Sequence, residues 1–295
     1  MAPIIPKAID LNALRAQYVK DSLDTTFNPY RIVVHGSSDS GKTVLLCTAS
    51  KFWHTAKAEL DDLIVVDVDG DAAASLVNFG KRVRTVDYLA IKRDLAGGDP
   101  YKAMEISLDL ATSSDAETIG LDTYSVFTKG LTTYLSRNPK LSENKQGIHD
   151  KRIYWDHYSS ATGMVSDKLR DSGKNFIVNF HSKATTDDMA KEGTDAKSID
   201  DRKKQVGLPG EPTIMLDTIG DARDLWPKLV SLVVAMRAVV GPKGDITRKV
   251  YTRVQEDMQA KSRFNKFLNA VEEPDMSIII NKVRSAVAAQ QKKEG

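Results

Sequence analysis

The chain has 295 residues, 41% hydrophobic and 28% charged, an ordinary composition for a folded protein, and it is long enough for one large or two small domains. A formal net charge of +2 gives no long-range attraction to nucleic acid, so any polyanion-binding surface must be local. No run approaches the roughly 18 apolar residues of a membrane span, and a single cysteine, Cys47, excludes an internal disulfide and is expected to pack rather than react.

Residues 1–10 carry Pro3 and Pro6 and no long apolar core, which predicts no secretory leader and a cytoplasmic protein. Residues 7–19 read as an amphipathic helix, and Asn28-Pro29 breaks the chain before an apolar run, Ile32-Val33-Val34. Then comes Gly36-Ser37-Ser38-Asp39-Ser40-Gly41-Lys42-Thr43, the P-loop pattern G-x-x-x-x-G-K-[ST], with a helix-like stretch at 44–58. A short buried strand at 63–66 ends in Asp67-Val68-Asp69-Gly70-Asp71, and 83–89 reads as another strand. Gly97-Gly98-Asp99-Pro100 is a turn opening a helix at 101–110. Thr118-Ile119-Gly120-Leu121-Asp122 is a strand ending in a carboxylate despite its weakening glycine. Helices follow at 123–136 and 150–171, then a strongly β-like run at 175–181 ending in His181.

Residues 182–212 form a long polar segment with six basic and seven acidic residues, a length and composition more typical of functional or disordered loops than of passive connections. Beyond it, 229–240 and 246–255 flank Gly241-Pro242-Lys243-Gly244-Asp245 as an antiparallel hairpin, and 283–293 reads as a terminal helix. Alternating short apolar strands and helices predict an α/β fold, a mostly parallel sheet with helices on both faces, closed by the hairpin. The expected divisions are a helical lead-in at 1–28, a core at 29–270 and a helix with a tail at 271–295.

The P-loop sets the chemistry. Its glycines let successive N–H groups face phosphates, with Lys42 the cation for the β/γ-phosphates and the Thr43 hydroxyl a ligand for Mg²⁺. The chain thus reads as a nucleoside triphosphatase, and phosphoryl transfer then needs a metal-side carboxylate, a water-orienting group and added positive charge. Asp122 suits the first role, and its position also fits an N-cap. Asp67 or Asp69 could orient water, or both could belong to an acidic turn. His181 fits a γ-phosphate sensor as well as a histidine satisfied at a strand end. Lys261 and Arg263 could reach a nucleotide held by a neighbouring subunit or form a solvated basic turn. Tyr154, Trp155, His157 and Tyr158 beside Lys151 and Arg152 could stack bases or pack as a helix face. His35, His54, His149 and His157 read as structural or exposed.

In their order, His-Gly-Ser-Ser-Asp-Ser-Gly-Lys-Thr, Val-Val-Asp-Val-Asp-Gly, Ile-Gly-Leu-Asp-Thr-Tyr-Ser, Ile-Val-Asn-Phe-His-Ser-Lys and Gln-Ala-Lys-Ser-Arg resemble RecA-superfamily ATPases over roughly residues 30 to 270. The resemblance is nearest to short phage-encoded RecA-like or single-strand annealing ATP-binding proteins. It implies a RecA-type core assembling head to tail as a ring or filament, with ATP and Mg²⁺ at subunit interfaces. It matches Asp69 to the catalytic glutamate, Asp122 to the Walker B aspartate, His181 to the sensor, and Lys261 with Arg263 to a finger supplied in trans. It further implies action on single-stranded DNA in recombination or replication within a bacterial host's cytoplasm. The alternative function is a nucleotide switch or assembly ATPase acting on a protein partner, such as a loader or packaging accessory. Asp69 is shorter than the family's usual glutamate, which implies slow hydrolysis or a different water geometry, and the near-neutral 182–212 segment argues against strong DNA affinity.

Overall fold

The computed structural model describes residues 29–148, 150–184, 214–218, 222–241, 244–254 and 259–294. The lead-in helix expected at 7–19, most of the polar segment 182–212 and His149 lie outside them. The elements run β1 (Arg31–Gly36), α1 (Lys42–Cys47), β2 (Glu59–Asp67), β3 (Arg82–Asp87), α2 (Tyr88–Asp94), α3 (Pro100–Ser113), β4 (Thr118–Asp122), α4 (Tyr124–Arg137), α5 (Lys151–Asp171) and β5 (Asn175–Ala184). They continue with β6 (Ile214–Leu216), α6 (Ala222–Leu229), β7 (Leu232–Val240), β8 (Ile246–Tyr251), β9 (Lys261–Ser262), β10 (Val271–Glu272) and α7 (Met276–Glu294). No helix among the described residues is long and apolar enough to cross a membrane.

The sheet has the order β10-β8-β7-β1-β5-β4-β2-β3, with β6 added to β5 and β9 to β7. From β3 to β7 every neighbouring pair is parallel, while β8 and β10 continue antiparallel beyond β7. This is the expected α/β architecture, a mostly parallel sheet with helices on both faces closed by an antiparallel hairpin.

The period-two alternation of strand side chains divides the core into two layers. Val33, Ile119, Leu121, Val178 and Phe180 face the layer of α3, α4, α5 and α6. Ile32, Val34, Val65, Ile177 and Val234 face α1 and α7, whose Leu45, Leu46, Met276 and Ile279 complete the second layer. Gly120 belongs to the α1 face, where a Cβ would lie 2.8 Å from one Leu46 methyl and 3.2 Å from a Val65 methyl. The residue that weakens β4 as a strand is therefore the one that lets α1 lie against it.

Several boundaries differ from the sequence expectation, each for a local reason. The helix expected at 44–58 stops at Cys47, because the Thr48 hydroxyl donates to the Leu45 carbonyl and the chain tightens into Ala49-to-Leu46 and Ser50-to-Cys47 turns. Asp62 fixes that turn by accepting from the Ser50 hydroxyl and the Lys51 N–H. The strand expected to reach residue 89 ends at Asp87, whose carboxylate accepts from the Ala90 N–H and caps α2. The helix expected at 283–293 begins at Met276, since Asp275 accepts the Ser277 N–H at 2.9 Å.

His35, one residue before the P-loop, is fully buried. Its Nε2 faces the Gln259 carbonyl, which can only accept, so Nε2 carries the proton and Nδ1 accepts from the Ser182 hydroxyl at 2.8 Å. One neutral ring thus joins β1 to the outer end of β5 and to the segment leading into β9. Burial lowers its pKa to about 4. As pH falls from about 6.5 towards 4 the unfolded chain gains the proton first, so His35 should remove up to about 3 kcal/mol of stability. Denaturant titrations should show wild type losing more stability over this range than His35→Asn.

Candidate active site

The parallel strands end together, with Gly36 in register with His181 on β5 and Met236 on β7, and Asp67 in register with Asp122. The cleft outside this edge, about 1060 Å³, is where ligands enter open α/β sheets. Its floor is the P-loop. A Cβ at Gly36 would lie 2.5 Å from the Met236 carbonyl oxygen, and Gly41 has φ of 95°, so both positions require glycine. Lys42 Nζ donates to the carbonyls of Gly36 at 3.1 Å and Ser37 at 2.7 Å, so the loop wraps its own lysine. Ser37, Ser38 and Asp39 are exposed at the rim, while Ser40 Oγ is buried with no partner among the described residues.

Asp122 follows Gly120 on the α1 face of β4, which carries its carboxylate over the start of α1. Thr43 Oγ1 donates to Asp122 Oδ2 at 2.6 Å, and Asn179 Nδ2 donates to Oδ1 at 3.0 Å. Burial raises the Asp122 pKa to about 6 against the lowering effect of both bonds. The pair offers oxygen donors only, a set suited to a hard cation such as Mg²⁺ that takes its remaining ligands from water and phosphate. The N-cap role also open to Asp122 falls instead at Thr123, without a side-chain capping bond.

Asp67 and Asp69 separate cleanly. β2 ends at Asp67, which is buried and accepts the N–H groups of Gly70 at 2.8 Å and Ala72 at 3.1 Å, so it holds the turn. Asp69 lines the cleft, accepts from the Thr123 N–H at 3.2 Å and hydroxyl at 3.1 Å, and lies 4.0 Å from His181 Nε2. His181 Nδ1 is buried with no partner among the described residues, and desolvation followed by the Lys42 charge lowers the ring's pKa. Lys42 is likewise pushed down, chiefly by burial.

Lys261 and Arg263 are not in this cleft. β9 pairs with Leu232 and Val233 on β7, the residues in register with the start of β1, so both cations lie at the opposite sheet edge. There they are exposed, with Lys261 Nζ donating to the Pro227 carbonyl at 3.0 Å and an Arg263 nitrogen 3.5 Å from the Lys228 carbonyl, at the C-terminus of α6. In the aromatic cluster, Tyr158 is core and Tyr154 packs against it, while Trp155 remains 41% exposed. Of the other histidines, exposed His54 pairs with Asp275. Cys47 is buried, which pushes its thiol pKa up, as a packing role requires.

Sequence reasoning missed Asn179, Thr123 and Arg248, the last of which also lines the cleft. Alternation along β5 could have found the first, since Ile177, Asn179 and His181 share the α1 face, passing from core to carboxylate partner to cleft.

The architecture and the cleft define an α/β protein with a P-loop at the strand ends. The chain belongs to the AAA domain family, whose model matches residues 28–264. No curated protein matches the sequence. Its fold is similar to that of a KaiC-like protein from the hyperthermophilic archaeon Pyrococcus horikoshii OT3, with 10% identity over 80% of this chain and 81% of that one and a TM-score of 0.37. It is also similar to the flagellar accessory protein FlaH from Methanocaldococcus jannaschii, with 8% identity, coverages of 76% and 77%, and a TM-score of 0.33.

Removing a partner that orients a metal-side carboxylate costs roughly 10- to 100-fold in metal affinity. Asn179→Ala should therefore weaken Mn²⁺ binding to the nucleotide complex by about tenfold or more, read by Mn²⁺ electron paramagnetic resonance. Unchanged affinity would make the Asn179 bond irrelevant to the metal.

Proposed function

We propose that the chain hydrolyses ATP in this cleft and acts on single-stranded DNA as a head-to-tail ring or filament, in recombination or replication of the phage type. The observation that carries the ATPase reading is the convergence of Lys42, Thr43, Asp69, Asp122 and His181, which come from separate parts of the sequence, on one cleft. Bound Mg²⁺ would neutralise phosphate charge, with Thr43 and Asp122 as the residues to hold it. Lys42 attracts the β/γ-phosphates. Asp69, fixed by Thr123, orients the attacking water, and His181 Nδ1 offers a buried polar atom with which to sense the γ-phosphate. A shorter carboxylate than glutamate makes slow turnover the expected behaviour.

Lys261 and Arg263 fit action in trans, because they are exposed at the sheet edge opposite their own P-loop, where a head-to-tail neighbour would receive them. Their contacts with α6 carbonyls support a competing structural role. The motif order supports the DNA reading. The balance of six basic and seven acidic residues in 182–212 favours the second reading, a nucleotide switch or assembly ATPase acting on protein.

Lys42→Ala should lose turnover with little effect on fold. Mixing it with Arg263→Ala should recover part of the activity that each lacks, by pairing an intact P-loop with an intact finger; no recovery at any ratio would remove the trans role. Single-strand binding with a non-hydrolysable ATP analogue should weaken as salt rises, because phosphate contacts release counterions. Absence of binding at low salt would leave the protein-partner reading.

A further inference from the structure

Arg248 reaches the P-loop of its own chain. β7 runs past the sheet edge, so that Met236 pairs with Gly36 on one side and with Val250 on the other, and Arg248 pairs with Ala238 two residues further out. Val250 and Arg248 are two apart and share a face. Val250 is buried in the α1 layer, and Arg248, roughly 7 Å beyond it along the strand, comes over the loop that precedes α1. A Cβ placed on Gly41 would lie 2.9 Å from Arg248 Nε and 3.0 Å from its Cδ, so the side chain lies directly against the P-loop glycine. Its residue is exposed, it lines the cleft, and no carboxylate among the described residues pairs with it.

Electrostatics give this placement a use. Asp39, Asp69, Asp71, Asp122 and Asp275 line the cleft, against Lys42 and Arg248 as its lysine and arginine cations. Beside Lys42 and a bound Mg²⁺, a further fixed cation offsets the repulsion that a polyphosphate meets among five carboxylates. Arginine is suited to the task, being permanently charged and presenting a planar fork to phosphate oxygens.

We propose that Arg248 is a nucleotide-binding residue acting in cis, clamping the α/β-phosphates against the Gly41 turn of the P-loop. The proposal rests on the P-loop reading above. It separates two basic sites: Arg248 holds ADP and ATP alike in its own subunit's cleft, whereas Arg263 is assigned to hydrolysis across an interface. Because the α/β-phosphates are common to substrate and product, loss of Arg248 should raise KM and leave kcat in place.

The test is the affinity of a ribose-labelled fluorescent ADP for full-length wild type, Lys42→Ala, Arg248→Gln and Arg248→Lys, across a salt series. Arg248→Gln keeps much of the stem over Gly41 and removes the charge. It should bind about tenfold or more weakly, the scale of a charged hydrogen bond, with a shallower salt dependence, and Arg248→Lys should fall between it and wild type. Wild-type affinity in Arg248→Gln, while Lys42→Ala loses binding, would overturn the proposal and spare the P-loop reading. Weaker binding with an unchanged salt slope would also overturn it, making Arg248 a packing residue. Wild-type affinity in Lys42→Ala would defeat the P-loop reading and the proposal together. Mixing Arg248→Gln with Lys42→Ala should restore no turnover at limiting ATP; recovery would place Arg248 in a neighbour's cleft and contradict action in cis.

Discussion

Asp122 is a carboxylate held at 3% exposure among strands, and the site depends on how that burial is satisfied. A buried charge without partners is costly. Here Thr43 from the P-loop helix donates to one oxygen and Asn179 from the strand between β1 and β4 donates to the other. The three residues therefore fix α1, β4 and β5 relative to one another at the sheet edge that receives the ligand. Gly120 makes this possible, because a side chain there would press into Leu46 and lift α1 from β4. The rest of the cleft follows from the same face: one step beyond the packed positions, the strands present Asn179, Asp122 and Arg248 instead of apolar residues.

A second constraint lies beneath the first. The buried His35 ring joins the strand that enters the P-loop to Ser182, next to the proposed sensor, and to Gln259, two residues before Lys261. Gln259 also bonds to β6 through its N–H to the Ile214 carbonyl. A shift of β1 against β5 would thus be felt at the start of the segment that carries Lys261 and Arg263. The bonds supply a physical connection between the P-loop edge and the far edge, of the kind whose coupling double-mutant cycles measure.

The architecture was legible because strand and helix periodicity are local, and the P-loop because its spacing enforces one backbone path. Asp122 and His181 were legible as polar ends of apolar runs. The choice between Asp67 and Asp69 was not, because it depends on where β2 stops, and that is set by the N–H groups of Gly70 and Ala72 closing on Asp67. Arg248 was hidden for a different reason. Its approach to Gly41 comes from the pairing register of β7 with both β1 and β8, a relation between residues more than two hundred positions apart that no local pattern carries. His35 reads from sequence as structural or exposed and proves structural, but a histidine following an apolar strand gives no sign that Ser182 and Gln259 supply its partners.

The most direct test of the account is a crystal structure of the full chain with Mg²⁺ and a non-hydrolysable ATP analogue. The account predicts the triphosphate curled in residues 36–43, Lys42 Nζ turned from the Gly36 and Ser37 carbonyls to the β/γ-phosphates, and the metal ligated by the Thr43 hydroxyl on the Asp122 side. A nucleotide bound elsewhere, or a metal held without Thr43 or Asp122 beside it, would contradict it.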